Sequence, residues 1–291
     1  ITFELLIMKT MGFPGYFLIV MDYIRAAREE LGVSVGPGRG SAAGSAIAYC
    51  LNITNIDPIK YDLLFERFLN PDRISLPDMD IDMDSTGREK TIQYVSEKYG
   101  KEKVAVIVTF GEMKGKSAIR DCARAIQLPL ERSNYLAKLV PDNAKSLAQA
   151  IYGDEKKKVE AVPELRRTLE EGSDLEKKTM EFALKLDGTI RNTGVHACGV
   201  IIGRDSLFDC IPLATSKNSE TMVTEYEGSL VEDAGLLKMD SLGLKTLDII
   251  SKSLYNIKKR YGIDIEIDDI PLDDPKTFEL FQNGDMTAVF Q

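Results

Sequence analysis

The sequence predicts an α+β protein in which a helical segment interrupts a part of the chain that contains strands. The regions before residue 111 and after residue 195 contain β-branched and alternating runs typical of strands. Residues 111–186 lack such runs and are rich in Lys, Glu, Leu and Ala. A length of 291 residues is enough for two domains, or for one domain with a large insertion.

In the first 110 residues, helical spacing of apolar residues and well-placed glycines define most of the predicted elements. Gly32 and Gly100 are suited to end helices, and the β-branched run VAVIVTF is typical of a buried strand. The predicted elements are, in order, a helix (18–32), a glycine-rich turn with a helix of small residues (36–53), a turn (55–58), a short helix (60–70), an acidic strand (76–82), an amphipathic helix (87–100) and a strand (104–110).

In the remaining chain, prolines divide the helical segment and shorter apolar runs predict strands. Pro129, Pro141 and Pro163 break the helical segment, which we interpret as an inserted subdomain. The predicted elements that follow are three strands (196–203, 220–226 and 235–244) and two helices (245–262 and 273–284).

The composition, 44% hydrophobic and 29% charged, is that of an ordinary soluble protein. No run approaches 18 apolar residues and no charged leader with an apolar centre opens the chain, so we predict no membrane partner, no secretory signal and a cytoplasmic location. The chain does not begin with Met and stops inside an apolar-patterned segment. We therefore interpret it as a piece of a longer polypeptide.

The cysteines are scattered along the chain and none forms a CxxC pair. Cys50, Cys122, Cys198 and Cys210, together with the single histidine His196, predict neither a zinc site nor a disulfide framework. Reduced cysteines are the expected state.

The net charge of −9 gives no general support for a nucleic-acid partner. The charge is uneven, however, because residues 98–124 carry seven basic and three acidic residues, a balance of +4. Binding to phosphates needs only local positive charge. This basic stretch is the predicted contact with a duplex backbone.

The run LPDMDIDMDS at 76–85 places Asp78, Asp80, Asp82 and Asp84 at alternate positions. In a strand, the first three carboxylates would share one face and the apolar residues between them would pack on the other. Carboxylates held side by side repel unless a cation neutralises them, and Mg²⁺ prefers such oxygen ligands. The alternative is an exposed edge strand whose acids face water.

A third carboxylate is available in LLKMDSLGL, where Asp240 lies among leucines and Met239. An acid in so apolar a strand needs a partner or a metal. The alternative is an aspartate in a turn or at a helix N-terminus beside Ser241.

The glycine-rich sequence GPGRGSAAGS (36–45) lacks the spacing and lysine of a Walker A loop, and Gly38, Gly40 and Ala43 match a dinucleotide fingerprint only loosely. A glycine bend that leads into a helix nevertheless suits a phosphate, with Ser41 as a donor and Arg39 supplying charge. A tight turn before a closely packed helix is the alternative.

Six blocks in this order resemble the central region of the C-family polymerases, the bacterial replicative DNA polymerase III alpha subunits. The blocks are MGFPGYFLIVMDYI, GPGRGSAAGS, LLFERFLNPDRISLPDMDIDMD, VTFGEMKGKSAIRD, RNTGVHACGVII and LLKMDSLGLKTL. The resemblance covers nearly the whole chain.

The resemblance implies a palm like that of DNA polymerase beta, a nucleotidyltransferase fold with a mixed sheet and flanking helices. The palm would comprise residues 1–109 and 190–245, with an inserted helical thumb at 110–189. Residues 246–291 would begin the fingers. Because most of the fingers lie outside this chain, an intact metal site here does not by itself imply polymerisation.

The family's functional residues fall on seven positions. The resemblance implies metal-binding catalytic aspartates at Asp78, Asp80 and Asp240. It also implies a phosphate contact at Gly40 and Ser41, and basic residues near the triphosphate at Arg67 and Lys238. Spacing alone does not choose Asp78 and Asp80 over Asp80 and Asp82. The family often has an aromatic residue where this chain has Met83.

The implied activity is that of a DNA-directed DNA polymerase, in which two Mg²⁺ ions support attack of a primer 3′-hydroxyl on a dNTP. The implied partners are primer–template DNA and dNTPs and, for the full-length protein, a sliding clamp, a proofreading exonuclease and clamp-loader subunits in the bacterial cytoplasm. Two alternatives from other classes are a metal-dependent phosphohydrolase and a non-catalytic DNA-binding or assembly module.

The histidine allows two interpretations. Since the implied reaction uses metals, we favour a structural hydrogen bond of His196 near Arg191 over a catalytic role.

Overall fold

The computed structural model describes residues 1–71, 77, 79–216, 219–287 and 289. The described chain divides into two compact units, one formed by residues 1–108 and 195–291 and the other by residues 109–194. The structure is therefore a mixed α+β protein, as the sequence predicts.

Twelve α-helices and six strands lie in the described ranges. The helices are α1 (Thr2–Met11), α2 (Pro14–Arg25), α3 (Ala46–Cys50), α4 (Ser85–Tyr99), α5 (Gly115–Ile126), α6 (Leu130–Leu139), α7 (Leu147–Tyr152), α8 (Pro163–Glu171), α9 (Asp174–Leu186), α10 (Gly228–Asp233), α11 (Lys245–Tyr261) and α12 (Pro275–Gln282). The strands are β1 (Asp80–Met83), β2 (Val104–Glu112), β3 (Ile190–Ile202), β4 (Leu213–Ser216), β5 (Ser219–Thr224) and β6 (Leu237–Gly243).

The strands form one mixed sheet in the order β1-β6-β3-β2-β5-β4. β1 runs parallel to β6 and β2 parallel to β5, whereas β3 is antiparallel to β6 and β4 to β5. The acidic strand is thus at one edge of the sheet, and β6, which is distant in sequence, lies next to it.

The alternation predicted for the acidic strand is present in β1. Ile81 and Met83 are buried, whereas Asp80 and Asp82 are only partly buried. Successive side chains of a strand point to opposite faces, so the apolar residues pack into the core and leave the carboxylates on the other face.

Behind the apolar face of β1 and β6 lie α2 and α4. The side chains of Tyr16, Phe17, Val20 and Ile24 on α2 are almost completely buried. The π-helical turn Ala26–Glu30 extends α2, and residues of this turn pack near α4.

A second cluster of buried residues belongs to the same unit. It comprises Ala105, Ile107, Ile201, Leu207, Ile211, Val231 and Leu236. It joins β2 and β3 to α10, so these strands are held by side chains of several elements.

The unit of residues 109–194 has a hydrophobic core of its own, contributed by α5 to α9. Its buried members are Ala118, Ile119, Cys122, Ala123, Leu128, Leu136, Ala137, Val140, Leu147, Ala150, Ile151, Leu165, Met180 and Ala183. The helical interpretation of residues 111–186 therefore holds for most of this segment.

One predicted helix is wrong, and one strand of the structure has no predicted counterpart. The helix predicted at 60–70 is wrong, because only Phe65–Arg67 forms a short 3₁₀ turn. The Asp57 carboxylate accepts the N–H groups of Ile59 and Lys60, and Asp62 adopts a positive φ of 51°, which a continuous helix does not allow. β4 was not predicted from the sequence.

Within the described ranges, no single helix is both long and apolar enough to cross a membrane. The segments Thr2–Met11 and Pro14–Glu30 meet the length and composition criteria only when they are taken together, and the chain bends by 109° between them.

Candidate functional site

The pairing of β1 with β6 places two predicted carboxylates next to each other. Asp80 is the direct partner of Asp240 in the parallel register. Adjacent strands are only about 4.8 Å apart, so two acids at paired positions share a small volume. Asp240 lies within a strand, and its alternative placement in a turn or at a helix N-terminus is wrong. Asp78 lies outside the described residues.

Asp240 is the more enclosed of the two acids, with a side chain that is 12% exposed. One oxygen, Oδ2, lies 3.0 Å from Nζ of Lys238, which also lies 3.5 Å from Glu232. The other oxygen, Oδ1, is buried and has no hydrogen-bonding partner among the described residues. A buried anionic oxygen without a partner is costly, and a divalent cation is one group that would satisfy it.

Asp80 is paired with a base from the glycine-rich segment. Nη1 of Arg39 lies 3.0 Å from Oδ2 of Asp80, and Nε of the same guanidinium lies 3.1 Å from Oδ1 of Asp82. Burial alone lowers the pKa of Arg39, but the hydrogen bond to Asp82 and the charges of both carboxylates outweigh it and raise this pKa.

The glycines of this segment hold Arg39 in place. Gly38 and Gly40 have positive φ values of 96° and 67°, which favour glycine, and Arg39 between them is extended. A Cβ at Gly38 would lie 2.7 Å from Cγ2 of Thr54, and one at Gly40 would lie 3.7 Å from Oδ2 of Asp80. The loop therefore runs directly beside the acidic strand.

The predicted phosphate contacts lie in two adjacent short turns. Ser41 is exposed in the 3₁₀ turn Gly40–Gly44, and Arg67 is exposed in the turn Phe65–Arg67. These turns pack together at Gly44, where an added Cβ would lie 2.6 Å from the carbonyl oxygen of Leu64. Absence of a side chain at Gly44 allows this close approach.

The N-terminus of α3 has protein partners. The Glu4 carboxylate accepts the N–H groups of Ala46 and Ile47 at 3.0 Å and the Ser45 hydroxyl at 2.9 Å. Ser45 in turn accepts the N–H of Ala48. The expectation that this helix end would face a phosphate is therefore not supported, and the exposed turn containing Ser41 is the part that can face a ligand.

His196 makes structural hydrogen bonds, and its partners are backbone N–H groups instead of Arg191. Its Nδ1 accepts the backbone N–H groups of Cys198 and Gly199 at 3.1 and 2.7 Å. Arg191 instead forms an ion pair with Asp121 at 3.0 Å.

The predicted duplex contact at 98–124 is largely engaged in contacts within the protein. Lys98 pairs with Asp22, Lys116 with Asp142, and Arg124 with Asp121. Lys98 belongs to one compact unit, whereas Lys116 and Arg124 belong to the other. The basic residues of this stretch are therefore divided between the two units, and their contact with DNA stays a prediction.

Sequence reasoning missed the part that Arg88 plays behind the site. Its Nε donates to the backbone oxygen of Ser241 at 2.7 Å, which ties α4 to the strand of Asp240. Burial lowers the pKa of this guanidinium. No motif marks Arg88, because its partner is a carbonyl group brought close only by folding.

Cys198 lies near the paired carboxylates but is not suited to act as a nucleophile. Burial, followed by the negative charge of Asp240, raises the pKa of its thiol. The thiolate is the reactive form of cysteine, so this environment disfavours reactivity.

The described residues contain no cluster of three or more His, Cys, Asp or Glu side chains arranged to hold a metal. Asp78 is not among these residues. The fit to a cation therefore rests on the pair of Asp80 and Asp240 and on the unpartnered oxygen of Asp240.

Comparison with known proteins identifies the family. A family model described as the bacterial DNA polymerase III alpha NTPase domain matches residues 1–243, and a model of the finger domain of the same subunit matches residues 246–291. Proteins named DNA polymerase III subunit alpha are 47% identical in Thermus aquaticus, 46% in Deinococcus radiodurans and 44% in Caulobacter vibrioides, each over 99% of this chain.

The chain spans 23%, 21% and 25% of the length of these three relatives. The similarity nevertheless extends over both compact units and all the site residues described above. The chain belongs to the family of bacterial DNA polymerase III alpha subunits.

Proposed function

We propose that this chain contributes the catalytic site of a DNA-directed DNA polymerase that transfers nucleotides from dNTPs to a primer 3′-hydroxyl. The observation that carries the proposal is the pairing of Asp80 with Asp240, together with the buried, unpartnered oxygen of Asp240. Family membership supports the same reaction class.

Asp80 and Asp240, with Asp78 as the third acid, would hold two Mg²⁺ ions. When bound, the ions would activate the attacking hydroxyl and stabilise the leaving pyrophosphate. Hard oxygen ligands at paired strand positions are the chemistry that these ions require.

The chain's other site residues would orient the nucleotide. The exposed turn with Gly40 and Ser41 offers a backbone N–H and a hydroxyl to phosphate oxygens, and Arg67 lies in the turn packed against it. Lys238, already beside Asp240, would neutralise the triphosphate. Holding the reactants in this way contributes to the rate by positioning.

The names palm, thumb and fingers are part of this proposal. Residues 1–109 and 190–245 would form the palm, 110–189 the thumb, and 246–291 the start of the fingers. The compact helical unit at 109–194 and the separate match of the finger family model at 246–291 support this division. Primer–template DNA, dNTPs and, in the full-length protein, clamp, exonuclease and clamp-loader partners in the bacterial cytoplasm belong to the same proposal.

Primer extension by the full-length polypeptide tests the role of the acids. We expect Asp80→Asn and Asp240→Asn to reduce extension at least about 100-fold, the scale of losing one group that stabilises a transition state. Asp209→Asn is a matched control, because Asp209 is exposed in the turn Leu207–Asp209 and is not one of the proposed site residues. It should extend primers normally.

Two results would contradict the proposal. If Asp80→Asn extended primers at the rate of the unsubstituted protein, Asp80 would not belong to the catalytic site. Release of phosphate or pyrophosphate from dNTPs without lengthening of the primer would instead identify a phosphohydrolase.

A further inference from the structure

Arg39 occupies a special position, because a single guanidinium holds two carboxylates of the acidic strand. Its Nη1 lies 3.0 Å from Asp80 and its Nε lies 3.1 Å from Asp82. Residues two apart on a strand point to the same face, and the planar donor group of arginine can engage both. One of the two acids is a proposed metal ligand.

The backbone of Arg39 is anchored while its side chain has room to move. Thr54 packs closely against Gly38, and the N–H of Asn55 donates to the carbonyl of Pro37 at 2.8 Å. The Arg39 side chain is 39% exposed, compared with 15% for Asp82. Rotation of the side chain therefore needs no rearrangement of the loop.

Arg39 and a divalent cation would require the same carboxylate. Oδ2 of Asp80 faces the guanidinium, and a metal bound by this acid would lie close to a second positive charge. The two cations repel each other at such a distance, so occupancy by one disfavours the other.

We propose that Arg39 is a built-in counter-ion that holds Asp80 and Asp82 until a divalent cation displaces it from Asp80. The proposal rests on the proposed function, since it takes Asp80 as a metal ligand. Asp82 gains a role that the metal ligands do not have, because it offers Arg39 an anchor after Asp80 is released. Arg39 is a positioning residue in this scheme.

Manganese binding to the full-length polypeptide tests the proposal without relying on activity. Free Mn²⁺ is followed by electron paramagnetic resonance in the unsubstituted protein and in Asp80→Asn, and the difference defines the Asp80-dependent site. We expect Arg39→Gln to tighten this site about threefold to fivefold, the scale of losing one partly exposed ion pair.

Two further variants distinguish the specific contact of Arg39 with Asp80 from a general effect of positive charge on Mn²⁺ affinity. Arg39→Lys keeps the charge but not the two-point geometry and should fall between Arg39→Gln and the unsubstituted protein. Lys101→Gln removes one positive charge at an exposed position and should leave the affinity unchanged. Equal tightening by Lys101→Gln would overturn the proposal.

Hydrogen exchange supplies a second readout that also reports on folding. Without metal, Arg39→Gln leaves the carboxylates of β1 and β6 less compensated, so amides of these strands should exchange faster than in the unsubstituted protein. The difference should disappear at saturating Mn²⁺. Persistence of the difference in saturating Mn²⁺ would contradict displacement.

The outcomes separate the role of Arg39 from the existence of the metal site. Binding of Mn²⁺ that depends on Asp80 but is no tighter in Arg39→Gln would overturn only the role of Arg39. Binding that does not depend on Asp80 at all would overturn the proposed metal site together with this inference.

Discussion

At the scale of single residues, Asp80 and Asp240 are each paired with a base. Arg39 reaches Asp80 from the glycine-rich loop, whereas Lys238 reaches Asp240 from the same strand. These pairs place a positive charge beside each carboxylate, which offsets the mutual repulsion of two acids at paired strand positions. The remaining oxygen of Asp240 stays without a partner among the described residues.

Tyr23 presents a second buried polar group behind the sheet. Its hydroxyl has no hydrogen-bonding partner among the described residues, and burial, followed by Tyr16 and Asp240, raises its pKa well above the usual value. It borders a small apolar cavity that Val200 and Met239 also line. This hydroxyl therefore contributes no visible hydrogen bond to stability.

We predict that Tyr23→Phe leaves the free energy of unfolding unchanged or raises it by about 1 kcal/mol, because an unpaired hydroxyl leaves the core. Urea unfolding provides the measurement. Tyr16→Phe is the matched control: the Tyr16 hydroxyl accepts the N–H of Met79 at 3.3 Å, so its loss should cost about 1 kcal/mol. A larger loss in Tyr23→Phe than in Tyr16→Phe would contradict this account.

The loss of folding stability at acid pH should depend on Asp22. Burial raises the pKa of its carboxyl, but hydrogen bonds from Lys98 and Tyr99, with the charge of Lys98, outweigh this effect and lower the pKa. A group whose pKa is lower in the folded state stabilises above its unfolded pKa of about 4 and loses that contribution as the pH falls through the folded value.

We therefore predict that Asp22→Asn is less stable than the unsubstituted chain at neutral pH and that the difference shrinks below about pH 4. Thermal unfolding between pH 2 and 7 measures it. Asp209→Asn, at an exposed position, should show no such convergence. A constant deficit of Asp22→Asn over this whole range would show that its ionisation does not matter.

At the scale of elements, the junction between β1 and α4 connects the acidic strand to the helix behind the site. Asp84 begins α4: its Oδ1 accepts the N–H of Gly87 at 2.6 Å, and its Oδ2 accepts the N–H of Ser34 at 2.8 Å. From α11, Asp248 accepts the N–H of Ser85 at 3.1 Å. The fourth aspartate of the acidic run is thus a helix cap.

We predict that Asp84→Ala destabilises the chain by about 1–2 kcal/mol, because it removes a helix cap and leaves the Ser34 N–H without its acceptor. Asp84→Asn retains an acceptor and should lose less. Chemical unfolding of both variants gives the comparison. Equal losses would indicate that charge, not hydrogen bonding, is the main contribution of Asp84.

Local patterns were reliable where the hydrophobic period was clear and unreliable where polar side chains competed. The alternation in the acidic strand and the β-branched run at 104–110 predicted real strands. The apolar residues at 60–70 also suggested a helix, but Asp57 and Asp62 direct a turn there. Such side-chain competition with the backbone is difficult to weigh from sequence.

At the scale of the whole molecule, the unit at 109–194 has a core that is separate from those of the other unit. Leu136 is fully buried in this core, and Leu→Ala in such an environment typically costs about 2–5 kcal/mol. The two units should therefore differ in their response to a core substitution.

We predict that Leu136→Ala increases hydrogen exchange in α5 to α9 and leaves Mn²⁺ binding at Asp80 unchanged. Ile201→Ala is the matched comparison, because Ile201 is fully buried in the cluster that contains Ala105 and Ile107, in the unit that contains Asp80. It should increase exchange in the sheet. Weakened Mn²⁺ binding in Leu136→Ala would show that the helical unit supports the site.

The sequence by itself determined the mixed α+β class, the helical interruption, the family and a short set of candidate acids. These features depend on local periodicity and on motifs whose order is written in the chain. Tertiary structure alone decided that Asp80 lies opposite Asp240, that Arg39 engages Asp80 and Asp82, and that Glu4 holds the N-terminus of α3. Residues 160, 41 and 43 positions apart met only because strand pairing and packing brought them together, and no local pattern carries that information.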